Sequence, residues 1–324
     1  MTDGGLAEPN RIRDFPVSFF STVMGLSGFT LAFRRFEKVY DPPLQISVFL
    51  FGLTFLLFAL LAATYARKAL TYPNAVSEEW HHPVRISFFP AISISLILLA
   101  AAAHGISDAL SLGLWVIGSV AHLVLTLAVM TAWINHSRFE IAHSNPAWFI
   151  PVVGNVLVPI VGVHHAPADI SWLFFTVGML FWLVLLTIII NRLIFHSPLP
   201  GKLVPTLAIL LAPPSVGFVS WVTMTNEIDA VARLLYFAAV FFFLLLLAQL
   251  PKFAKLDFTL SWWAYSFPLA AFTIATFQMG LSSGKPFYIW AADGLLAALI
   301  LVIIGLVLRT IKAIGNGEIC KPET

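Results

Sequence analysis

Residues 261–277 read SWWAYSFPLAAFTIATF. The run is uncharged and sits inside a stretch long enough to cross a bilayer, yet it places a bulky ring, Phe267, directly before a proline, Pro268. Proline lacks an amide N–H and clashes with the carbonyl four residues back, so Pro268 frees the Ala264 carbonyl and bends a helix here. In hydrocarbon such a break persists only where protein or water satisfies the freed group. The stretch therefore belongs beside protein or an aqueous path, and the rest of the chain must supply it.

Composition makes lipid the expected solvent. The 324 residues are 59% hydrophobic and 10% charged, with a mean hydropathy of +0.91, whereas soluble domains carry about a quarter charged residues. A bilayer core of about 30 Å takes about 20 helical residues. That ruler places ten spans at 15–34, 44–66, 84–104, 109–134, 147–163, 169–191, 203–223, 228–250, 258–281 and 287–311. Residues 1–14 are then a cytoplasmic leader, 15–311 the membrane domain and 312–324 a cytoplasmic tail. With both termini inside, thirteen Lys and Arg fall on the inner side and five on the outer, as the positive-inside rule favours. Arg34, Arg35 and Lys38 are the exceptions, together in the first outer loop. The chain is expected to be a multi-pass membrane protein with both termini cytoplasmic.

The prolines divide the spans into two classes. Pro16, Pro90, Pro151, Pro159, Pro205, Pro213, Pro214 and Pro268 all lie in the odd-numbered spans, and the even ones have none in their interiors. The odd spans also hold most of the mid-span small and polar residues, among them Ser21, Gly25, Asn155 and Gly217. Even spans are smooth Leu/Phe tracts such as FFFLLLLAQL, which lipid contact permits. The expected fold is an all-α polytopic membrane protein whose ten transmembrane helices form five helical hairpins around a central pore. Bent odd helices line that pore, with Ser21, Gly25, Pro90, Asn155, Pro159, Pro214 and Gly217 as candidate lining residues.

A neutral lining of this kind offers cations no acidic ring, and it can hold anions through hydroxyls, freed N–H groups and helix-end dipoles. No Asp, Glu, Lys or Arg lies deep in an odd span. The one acid well inside any span is Asp293 in the tenth. An intramembrane acid is either a coupling site or a side chain satisfied at the interface by a neighbour. Other signals point away from chemistry. His81-His82 and His164-His165 lack metal-ligand spacing, and GLSSGK at 280–285 falls short of a phosphate loop. The single Cys320 excludes an internal disulfide, and a net charge of +2 does not suit nucleic acid. Neither an enzyme nor a cofactor or metal is expected. Trp148, Trp172, Trp221, Trp262, Trp263 and Trp290 cluster near span ends and are expected as interfacial anchors.

Five stretches in order carry a resemblance over nearly the whole chain: FFSTVMGLSGFTLAF (19–33), HHPVRISF (81–88), NPAWFIPVVGN (145–155), LAPPSVGFVS (211–220) and WWAYSFPLA (262–270). They are similar to the bacterial TehA tellurite-resistance proteins and the plant slow-type anion channels, within the tellurite-resistance/dicarboxylate transporter family. The resemblance implies a homotrimer, each subunit having its own pore closed by a phenylalanine of the ninth helix. That residue matches Phe267, with Pro268 beside it. The function so implied is an anion channel or uniporter for small monovalent anions. The alternative is a proton-coupled carrier of C4-dicarboxylates or oxyanions such as tellurite, in which Asp293 would titrate.

Overall fold

A computed structural model describes residues 10–320. Residues 1–9 of the expected leader and 321–324 of the expected tail lie outside the described residues. The described chain is helical throughout, without a strand among these residues. Eight helical segments are long and apolar enough to cross a membrane: Val17–Tyr40 (α1), Ile46–Thr71 (α2), Arg85–Ala103 (α3), Asp108–Asn135 (α4), Ala168–Phe195, Gly201–Thr225, Ala230–Ala248 and Pro286–Gly315. Between α4 and Ala168–Phe195 (α6) runs a shorter apolar segment, Pro146–Gly162 (α5). After Gly201–Thr225 (α7) and Ala230–Ala248 (α8) comes α9, a turn at Leu260–Tyr265 followed by a helix at Ser266–Ser283, and Pro286–Gly315 is α10.

The division read from the prolines appears in the backbone itself. α2, α4, α6, α8 and α10 are uninterrupted α-helices. Each odd segment instead begins in 3₁₀ conformation and becomes α-helical at or near a proline. The 3₁₀ stretches are Val17–Phe19 after Pro16, Arg85–Phe88 before Pro90, Gly154–Leu157 between Pro151 and Pro159, Gly201–Leu211 before Pro213, and Leu260–Tyr265 before Pro268. A proline that cannot donate to the carbonyl four back leaves the preceding turn free to tighten to three-residue bonding. The expected kink is thus a change of helix type. In α5 it recurs so often that the expected single helix over 147–163 is a chain of short pieces, the longest being Phe149–Val153.

Packing follows the same division. Each odd segment packs on the even one after it, and the odd segments touch in a closed ring: α1 on α3, α3 on α5, α5 on α7, α7 on α9, α9 on α1. In their most apolar windows α1, α3 and α7 are 67–83% buried, against 22–39% for α2, α4, α6, α8 and α10. The even helices present Leu53, Leu56, Val124, Leu183, Phe241 and Leu301 outward, a surface that only lipid or another apolar face accommodates.

Small residues let the ring close. A Cβ on Gly25 of α1 would lie 2.1 Å from Ser266 Oγ, and one on Gly28 would lie 2.9 Å from Ala270 Cβ. Hydroxyls expected to face an aqueous axis are buried between helices and bond their own backbone: Ser95 to the Ala91 carbonyl at 2.7 Å, Thr273 to Leu269 and Thr276 to Phe272 at 2.8 Å each. A hydroxyl that can reach the carbonyl one turn back satisfies itself there. Among the tryptophans expected at the interface, Trp148 and Trp263 are buried. Trp148 stacks on Trp133 with centroids 4.8 Å apart, and Trp263 Nε1 donates to Thr310 Oγ1 at 2.9 Å. Boundaries also shift: α1 runs on to Tyr40, and α10 reaches Gly315, three residues past the start of the expected tail at 312.

The first and last described residues share one face of the molecule. Asn10 Nδ2 donates to Tyr72 Oη at 2.8 Å, and Cys320 lies near Arg11, Asp14 and Lys68. Burial raises the Cys320 thiol above its ordinary pKa, and the Asp14 charge adds to the shift. Beneath them Glu79 accepts from Lys68 Nζ at 2.8 Å, Tyr65 Oη at 2.9 Å and the Val17 amide at 3.0 Å, with both charged side chains at most 3% exposed.

Candidate permeation site

Two spaces lie one above the other inside the ring. The inner one, about 40 Å³, is lined by Met24 of α1, Ile94 of α3, Phe149, Val153, Gly154 and Leu157 of α5, Ile209, Pro213 and Val216 of α7, and Phe267 of α9. Every odd segment contributes and no even one does. Its volume exceeds the roughly 10–15 Å³ that one water needs, but its lining offers no polar side chain, so it stays dry. The Phe267 ring lies against α1, where a Cβ on Gly28 would meet Phe267 Cδ2 at 3.2 Å. Phe267 is the second residue of the Ser266–Ser283 helix, directly after the 3₁₀ turn.

The broken wall of α5 is satisfied from behind. Trp115 Nε1 donates to the Val158 carbonyl at 3.0 Å, Thr126 Oγ1 to that of Pro151 at 2.7 Å, and Ser220 Oγ to that of Val156. Asn155 turns away from the inner cavity, donating through Nδ2 to Thr126 Oγ1 at 3.0 Å and to the Val152 carbonyl at 2.8 Å. His122 is buried beside it, with Nδ1 2.9 Å from Ser93 Oγ. These groups are what make irregular backbone tolerable at this depth.

The second space, about 740 Å³, opens on the face away from the termini. It is walled by the C-terminal ends of the odd segments and holds Arg34, Arg35, Lys38, His104 and His164 together with two acids, Glu37 and Asp41. Arg34 Nη1 donates to the carbonyls of Ala101 and Ala102 at 3.1 and 3.0 Å, capping the end of α3. Glu37 accepts from the Ser47 amide at 2.8 Å and also from its hydroxyl. His104 stacks on His164 at 4.5 Å and has Nδ1 3.1 Å from Asp108. Arg35 lies eleven residues beyond Met24 on one helix, about 16 Å at 1.5 Å per residue.

Phe267 is thus among the residues that meet at the inner cavity, with Pro268 buried next to it. Gly25, Asn155, Pro214 and Gly217 stand one residue aside, their chain neighbours Met24, Gly154, Pro213 and Val216 lining the cavity, while Ser21, Pro90 and Pro159 lie two to four residues from a lining residue on the same segments. Gly25 faces Ser266, and Gly217 faces Met179 and Leu235. Asp293 lines neither space; its Oδ2 accepts from Tyr40 Oη at 2.5 Å. The cationic vestibule was missed, although its signal was present in the three basic residues that broke the charge rule.

The profile of the SLAC1 family, described as voltage-dependent anion channel, matches residues 14–311. The chain belongs to this family. It is 31% identical to the S-type anion channel SLAH3 of Arabidopsis thaliana over 82% of its length, which covers 43% of the plant protein. It is 28% identical to an uncharacterized transporter of Methanocaldococcus jannaschii over 96% of this chain and 98% of that one. A tellurite resistance protein TehA homolog of Haemophilus influenzae is 27% identical, over 79% and 78% of the two chains. Anion channels and transporters are therefore the kin of this membrane protein, and the paired spaces of its odd segments lie within the matched residues.

Proposed function

We propose that this chain is an anion channel or uniporter that passes small monovalent anions along the axis of its odd segments and is closed at Phe267. Ten crossings form five hairpins about that axis, both termini are cytoplasmic, and three subunits assemble in a bacterial plasma membrane with one pore each. One observation carries the reading: five proline-bearing segments converge on a dry cavity at Phe267 beneath a vestibule lined with Arg34 and Arg35. A narrow apolar constriction stops ions by excluding the water that would accompany them. Cations above it raise the local anion concentration.

A coupled carrier of dicarboxylates or tellurite would need a titrating acid in the path. Asp293, the candidate, is held by Tyr40 outside both spaces, which favours the channel. Purified Phe267→Ala protein in planar bilayers tests the reading. Anion currents well above those of wild type are expected, and adding Asp293→Asn should leave them unchanged. No current from Phe267→Ala, or a pH-driven uptake abolished by Asp293→Asn, would overturn it.

A further inference from the structure

The vestibule has an electrostatic problem that the arginines address. The odd helices end at its wall, at Tyr40, Ala103, Gly162 and Thr225, and each C-terminus presents the equivalent of about half a negative charge. An anion arriving there meets carbonyl ends. Arg34 is committed to two of these, Ala101 and Ala102. Lys38 and Asp41, of opposite charge, are exposed at the same wall, and the carboxylate of Glu37 is held by Ser47. Arg35 differs from all of them. It lines the same space, is half-buried, and makes no hydrogen bond or ion pair with any described residue. A guanidinium drawn out of bulk water without a partner is costly unless a ligand completes it.

We propose that Arg35 is the centre of an anion-binding site in this vestibule, which captures a small oxyanion before it reaches the Phe267 constriction. The site rests on the channel reading above for its role, though not for its existence. The guanidinium is a planar fork of N–H donors, so its best partner presents two oxygens in one plane, as nitrate or a carboxylate does; a spherical halide takes only one arm. Lys38 and the free N–H groups of Arg34 add positive potential around that fork. The cost of entering the low-dielectric throat is then partly offset one step before it, where the anion is still in contact with water.

The first test needs no conduction. Closed wild-type protein in detergent is titrated with sodium nitrate against sodium chloride at matched ionic strength, following its thermal midpoint, because a ligand that binds only the folded state raises it. Nitrate should stabilise more than chloride. Arg35→Gln should weaken the apparent nitrate affinity about tenfold, ~1.4 kcal/mol. Arg35→Lys, which keeps the charge and loses the fork, should abolish the preference over chloride. An unchanged nitrate response in Arg35→Gln overturns the site, and an Arg35→Lys protein that still prefers nitrate overturns the bidentate argument.

The second test uses the Phe267→Ala pore. Charge is screened over about 30 Å at 0.01 M salt and about 3 Å at 1 M. Arg35→Gln should therefore lower conductance several-fold at 0.01 M, and the two proteins should converge at 1 M. Equal conductance at low salt counts against the site. A Phe267→Ala protein that is silent while the nitrate titration succeeds would sink the channel reading and leave the binding site standing.

Discussion

The seam between α1 and α9 offers a quantitative test of how the Phe267 ring is held. Substituting Gly25 by Ala puts a Cβ 2.1 Å from Ser266 Oγ and 2.7 Å from Ser266 Cβ, where ordinary contact begins at 3.4 Å. Ser266 cannot turn aside freely, since its hydroxyl donates to the Trp263 carbonyl, and Trp263 is tied to Thr310 of α10. The helix start must therefore recede by more than 1 Å, carrying the adjacent Phe267 away from the axis. Overpacking of this kind costs about 1–3 kcal/mol. The compensating change is Ser266→Gly, which removes both offending atoms and leaves Trp263 Cε3 at 3.2 Å as the next neighbour. In a double-mutant cycle read by thermal unfolding in detergent, the pair should couple favourably by roughly 1–3 kcal/mol. In proteoliposomes loaded with nitrate, Gly25→Ala should leak, and Gly25→Ala/Ser266→Gly should hold its contents. A Gly25→Ala protein with wild-type stability and no leak would refute the claim that this seam positions the ring.

Two further outcomes follow from the electrostatics of the two faces. Lys68→Met leaves the Glu79 carboxylate buried without its cation, which should cost about 3–5 kcal/mol; Lys68→Met/Glu79→Gln should recover most of the loss of melting temperature, because the neutral amide no longer needs the charge. On the other face, burial lowers the His165 pKa, with the neighbouring His104 and His164 charges adding to the shift. The unfolded chain then takes up a proton, near its ordinary pKa of about 6.5, that the folded one refuses. Stability should be insensitive to this group above about pH 6.5 and should fall as pH drops below that value. His165→Gln should flatten that acid limb in melts recorded across the range, and an unaltered limb would assign the sensitivity elsewhere.

The alternation of bent and smooth segments was legible because proline acts through the backbone, and a missing N–H has the same consequence wherever the segment packs. Pro90, Pro159, Pro213 and Pro268 each mark a change from 3₁₀ to α conformation for that reason. Side chains were harder to place. Hydroxyls of the odd segments were expected to serve a wet axis, but those of Ser95 and Thr276 each reach a carbonyl one turn back and need no water. Asn155 was expected to line the pore, yet it points toward Thr126, a residue of α4 twenty-nine positions earlier. Trp148 and Trp263 have the composition of interfacial anchors, while stacking and a hydrogen bond hold them inside. Contacts between segments distant in sequence decided all of these. The vestibule depended on such contacts too: His104 and His164 meet only because α3 and α5 end at the same height.

The two kinds of helix divide the mechanical work as well as the surface. Neighbouring side chains take the carbonyls exposed by the α5 breaks, Trp115 and Thr126 from α4 and Ser220 from α7, so that wall is cross-linked and resists dilation. The seam of α1 with α9 is different in kind. Glycines there let backbones approach, and no described side-chain hydrogen bond crosses from Gly25 or Gly28 to the ring of Phe267; contact alone sets its position. Van der Waals contact between small residues has a shallow energy per atom pair, about 0.1–0.2 kcal/mol, and a gap of about 0.5–1 Å already forfeits a quarter to a half of it. A shift of α9 along this seam therefore moves the ring at less cost than opening the cross-linked wall. α1 also carries Arg34 and Arg35, so the element against which the ring rests is the one that bears the vestibule cations. On the channel reading proposed above, closure at Phe267 and anion capture at Arg35 would both stand on α1, and permeation would require motion of the ring past it.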